Sequence, residues 1–77
     1  MTDPRSRAAQ KLAEAEQAVS DWADGIRQGA ERRVGSSEPD DVVTDAAYSQ
    51  ALALFRLVRN AATAFADHAE QIERGDR

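Results

Sequence analysis

Turn chemistry is concentrated at one place in this chain. The stretch GSSEPDD, residues 35–41, lies near the middle of 77 residues, and 3.6-residue apolar periodicity runs on both sides of it. A short central turn between two long amphipathic segments defines an all-α antiparallel two-helix hairpin. The expected organisation is a single domain over 1–77: a first helix at about 3–34, a turn at about 35–40 and a second helix at about 41–73. Sixteen alanines against four glycines and two prolines favour the same conclusion, because Ala is the best helix former.

The ends of both helices are written in the sequence. In TDPR, Asp3 or Thr2 supplies a cap and Pro4 fits the first helical position, where its missing N–H would be unpaired anyway. Arg32 and Arg33 complement the negative end of the first helix, and Gly35 suits the left-handed position beyond it. For the second helix two starts compete. Ser37 with Asp40 resembles a capping box, and Thr44-Asp45 offers a later one.

Along the first helix, Leu12, Val19 and Ile26 form one row of a heptad seam, and Ala8, Ala15, Trp22 and Gly29 form the other. The opposite face, from Gln10 and Glu14 to Gln28 and Glu31, is polar. On the second helix the seam reads Ala47, Ala51, Leu54, Val58, Ala61, Phe65, His68 and Ile72, flanked by Tyr48, Phe55, Ala62 and Ala69. Only Ser49, Arg56, Thr63 and Glu70 make a consistently polar line, so the apolar arc is much wider there. Gly25 and Gly29 cost roughly 1 kcal/mol each inside a helix. They mark a break, a kink or a close helix approach.

The large apolar residues are shared unequally. The first half offers Leu12, Val19, Trp22, Ile26 and Val34, and the second half offers twice as many. Five cannot cover ten. With no cysteine, neither disulfides nor thiolate metal sites can stabilise so small a chain. Another protein surface is the remaining source. The simplest arrangement is a homodimer in which two hairpins make a coiled-coil-like four-helix bundle, and a larger protein partner is the other. The interface is expected at Trp22, Tyr48, Leu52, Phe55, Leu57 and Phe65. In that assignment Leu52 belongs to the contact between chains, while Leu54 and Val58 belong to the hairpin.

Chemistry-bearing patterns are sparse. His68 is the sole histidine and reads as a polar residue near a helix C-terminus. Asp40, Asp41 and Asp45 cluster where a helix dipole favours carboxylates, so calcium need not be invoked. Arg56 and Arg59 read as solvated or as partners for Asp21 or Asp24. No nucleophile–base pair, phosphate loop or inward Glu-x-x-His pair occurs, so neither catalysis nor a metal or other cofactor is expected.

A net charge of −4 argues against nucleic-acid binding. Absence of a long apolar run or signal-like start argues for a cytoplasmic protein. The functional expectation is a non-enzymatic protein–protein interaction module: a small helical adaptor, an accessory subunit or an antitoxin- or phage-type partner protein. The alternatives are a small secreted helical-hairpin effector and an amphipathic membrane-surface protein, the last disfavoured by an acidic second helix. The pattern departs from the secreted hairpin family built around a Trp-x-Gly turn. Here two residues separate Trp22 from Gly25, and Tyr48 is followed four positions later by Leu52, so no membership is assigned.

Overall fold

The computed structural model describes residues 3–75 and is helical throughout apart from the connection. Helix α1 spans Pro4–Val34, α2 is a single turn at Pro39–Val42, and α3 spans Ala46–Gly75. No strand is present among the described residues. The long helices pack antiparallel, and α2 packs on α1 at the closed end. Cα atoms extend over 56 × 24 × 15 Å, a flat two-helix layer.

Helix α1 starts where its sequence says it should. The Asp3 side chain accepts a bond from the Ser6 N–H at 3.3 Å, with Pro4 in the first turn. Thr2, the other candidate cap, lies outside the described residues. The helix ends at Gly35, which adopts φ 77° and donates its N–H to the Glu31 carbonyl at 2.8 Å. That left-handed conformation is open to Gly at no steric cost. Gly25 and Gly29 do not interrupt α1, which runs through both without a break.

The connection uses both candidate starts. Pro39 opens the short α2, whose cap position is Glu38 rather than Ser37, with no side-chain cap bond. Ser36 instead ties the turn, accepting from the Glu38 N–H at 3.1 Å and donating to Asp41 at 2.9 Å. Asp45 then begins α3: its carboxylate accepts from the Tyr48 N–H at 3.1 Å and its carbonyl from the Ser49 N–H at 2.9 Å.

The seam between the helices differs from the expected one by one residue on each helix. Its buried members are Ala23 and Ala30 on α1 and Ala51 and Ala69 on α3, with Val42 from the turn. Leu12, Val19, Ile26, Phe55, Val58, Ala62 and Phe65 are half-buried along the same line. Leu54 and Ile72, expected inside, are 52% and 63% exposed, and Trp22, on the expected seam and also expected at the interface, is 50% exposed. Both choices have heptad spacing, because rows 15/22/29 and 16/23/30 each flank 12/19/26. The row chosen puts Ala23 and Ala30 at the contact, where small side chains let the backbones approach and the half-buried residues meet over more of their length.

Val42 is the only large side chain that is fully buried among the described residues. Two helices make a layer, not an enclosure, so the large residues of the seam keep one flank in solvent.

Candidate interaction face

Two ion pairs set the alignment of α1 on α3. At the open end Arg5 Nη1 lies 2.6 Å from Glu73 Oε2. At the closed end Arg33 donates from Nε and Nη2 to the two carboxylate oxygens of Asp45, at 2.8 and 2.9 Å. Each pair joins residues whose numbers add to 78, so residue i of α1 stands within about one helical turn of the height of residue 78 − i of α3. Trp22 therefore stands opposite the turn around position 56.

The sides of the layer follow from its two grooves. An apolar groove of about 530 Å³ at the open end is lined by Pro4, Phe65, His68 and Ile72 among others. A smaller, more polar groove of about 240 Å³, lined by Ser6, Ala9, Ala66 and Glu70, shares only Arg5 and Phe65 with it and opens on the opposite side. Eighteen residues are five whole helical turns. Trp22 is eighteen residues after Pro4, and Leu54 is eighteen before Ile72. Both thus lie on the side of the larger groove. Leu57, eleven residues before His68, lies there too, about three turns away.

That side carries Trp22, Leu54, Leu57 and Ile72, at 50, 52, 64 and 63% exposure. Gly25 sits next to Trp22 on the same side, and a Cβ added to it would meet nothing within 4 Å. The opposite side is charged. It holds the Arg27–Glu31 pair at 3.1 Å, and the helical phase puts Arg59 there with Ala66. The ion pairs among the described residues involve neither Arg56 nor Arg59.

The residues expected at an interface are distributed as follows. Trp22 and Leu57 lie together on the apolar side. Tyr48, Phe55 and Phe65 lie along the seam, half-buried, with Phe65 separating the two grooves. Leu52 is half-buried and shares a heptad row with Arg59 and Ala66, on the charged side. Leu54 and Ile72 join the exposed face in place of the seam. For Leu54 the signal was available in the sequence as a second uncharged heptad row on α3.

Electrostatically the notable group is Asp45. Hydrogen bonds from Arg33 and then from the Tyr48 N–H hold its carboxyl down at about 2, and the same pairing raises Arg33. Its role is structural, since it joins the end of α1 to the start of α3. His68 stands in the wall of the apolar groove, and no cluster of three or more His, Cys, Asp or Glu that could hold a metal occurs among the described residues. No helix among the described residues is long and apolar enough to cross a membrane.

Comparison of the chain with protein-family models, curated proteins and solved structures finds no match.

Proposed function

We propose that this chain is a non-enzymatic protein–protein interaction module. It self-associates into a four-helix bundle or docks on a larger protein through the apolar side of its hairpin. One observation carries the reading: four large apolar side chains stand half-exposed or more on a single side, while among the described residues only Val42 of the large ones is fully enclosed. Large apolar side chains exposed together on one side of a soluble protein mark interaction sites. The non-enzymatic part rests on the lack of any nucleophile–base pair in the sequence.

Thermal melts and hydrophobic-dye binding test the proposal together. A face covered by a copy of the chain gives a melting temperature that rises with protein concentration. A face awaiting a different partner leaves a folded monomer that binds the dye, with binding reduced in Leu57→Glu. A cooperative monomer with a concentration-independent melt and no dye binding overturns the proposal.

A further inference from the structure

We infer that the occupant of the apolar side is a second copy of the chain, related by a two-fold axis parallel to the helices, with Trp22 of each copy seated between Leu54 and Leu57 of the other. This rests on the interaction role proposed above and specifies its partner.

Each helix carries two adjacent seams. A helix in a four-helix bundle touches two neighbours, so it needs two heptad rows side by side. In the hairpin one row of each helix is used. The second row on α3 runs Gln50, Leu54, Leu57, Ala61, Ala64 and His68, at alternating spacings of four and three, with no carboxylate or fixed positive charge. Its counterpart on α1 runs Ala15, Ala18, Trp22, Gly25 and Gly29, every member except Trp22 small; it is bounded by Lys11 and Arg32, and the guanidinium groups of Arg32 and Arg33 lie over Gly29. The chain contains fourteen acidic residues, and none falls in either row. A copy laid on this side therefore buries no unpaired carboxylate.

Side-chain sizes also fit at matched heights. Rotation about an axis parallel to the helices leaves every residue at its own height and lays α1 of one copy over α3 of the other, antiparallel. Trp22 then stands over the turn around position 56, between Leu54 and Leu57. Gly25 stands over the turn around position 53, where its open surface receives Leu54. A two-fold axis across the helices would stack α1 on α1 and α3 on α3. Centred on the middle of α1, that rotation inverts heights and lays Trp22 over position 16, Leu54 over Ala64 and Leu57 over Ala61, so Trp22 meets neither leucine.

The area is sufficient. The Cα extremes bound the broad side at 56 by 24 Å, at most roughly 1,300 Å² in projection, where a specific interface needs about 800 Å² from each partner. A copy covering two thirds of the side suffices.

The chain has no native cysteine, so engineered ones report cleanly. Ala18 stands opposite the turn around position 60, so an Ala18→Cys copy and a size-tagged Ala61→Cys copy are mixed and mildly oxidised. Both positions are exposed, and circular dichroism checks that both variants stay helical. The arrangement predicts mixed 18-to-61 links that outnumber self-links severalfold and disappear when Leu57→Asp is added to both copies. Dominant 18-to-18 links overturn the arrangement in favour of α1 stacked on α1. No links from a helical monomer overturn self-association altogether. If that monomer still binds hydrophobic dye, the interaction role survives with a different partner; if it does not, that role fails as well.

Discussion

Arg33 and Asp45 form a two-toothed ion pair, at 2.8 and 2.9 Å, that closes the hairpin across its turn. The same Asp45 carboxylate caps α3 through the Tyr48 N–H at 3.1 Å. One side chain thus both starts the second long helix and ties it to the end of the first. Asp45→Ala removes both functions and should lower the melting temperature by several degrees. Asp45→Asn keeps a cap acceptor and should lose clearly less. Thermal melts by circular dichroism at fixed protein concentration distinguish the two.

Acid sensitivity follows from the same contact. The Asp45 carboxyl titrates at about 2 in the folded chain against an ordinary 3.8. A group held below its unfolded value contributes stability that is fully present above pH 3.8 and is lost as pH falls toward 2. The gap in melting temperature between wild type and Asp45→Asn should be constant above about pH 5 and shrink steadily from about pH 4 to about pH 2. A gap that persists unchanged at the acid end would show that the charge is not what the contact uses.

The alanine seam makes a sharp distinction between positions. Ala23 is 6% exposed and Ala30 fully enclosed, on the buried row of α1. Ala23→Leu should force the backbones apart and destabilise by about 1–3 kcal/mol. Ala13→Leu, on the exposed surface of the same helix, should stay within about 0.5 kcal/mol of wild type. Equal effects of the two substitutions, in urea unfolding, would return Trp22 to the seam.

Gly35 offers a backbone test. Its φ of 77° is one that side chains with a Cβ adopt at a cost of about 1–2 kcal/mol. Gly35→Ala should destabilise by about that amount. Gly35→Asn should lose less, since Asn tolerates the left-handed region. Urea unfolding of the two variants beside wild type gives the order.

The fold class and the helix ends were legible because they are local. Asp3, Pro4 and Gly35 act on their own neighbours, and each is found doing what its type does best. The choice of seam was not legible in the same way. Rows 15/22/29 and 16/23/30 have the same spacing, and periodicity cannot tell which one faces α3. Side-chain size favours Trp22 and Leu54 inside, whereas the structure buries Ala23 and half-buries Phe55 there instead. The imbalance between helices pointed to an uncovered surface, but the assignment of Leu52 to the contact between chains and Leu54 to the hairpin depended on the seam chosen. In the structure Leu54 stands on the apolar side with Trp22, and Leu52 lies toward Arg59.

That placement separates the two leucines experimentally. Leu54→Asp puts a charge in the centre of the proposed contact, whereas Leu52→Asp puts one on the charged side, two turns before Arg59. Leu54→Asp should weaken self-association at least as strongly as any other single exposed substitution, leaving the helix content of the released chain as the second readout. Leu52→Asp should weaken association less, and its cost should appear mainly as lost stability of the half-buried seam. Size-exclusion chromatography run alongside circular dichroism reads both effects.

If the side bearing Trp22, Leu54 and Leu57 is covered by another copy of the chain, the unmodified protein must show it in solution. Sedimentation equilibrium at micromolar concentration is the direct measurement. The proposed dimer predicts a species of twice the chain mass that dissociates on dilution, and a shift toward monomer in Leu57→Asp. A well-folded monomer across the whole concentration range would contradict it.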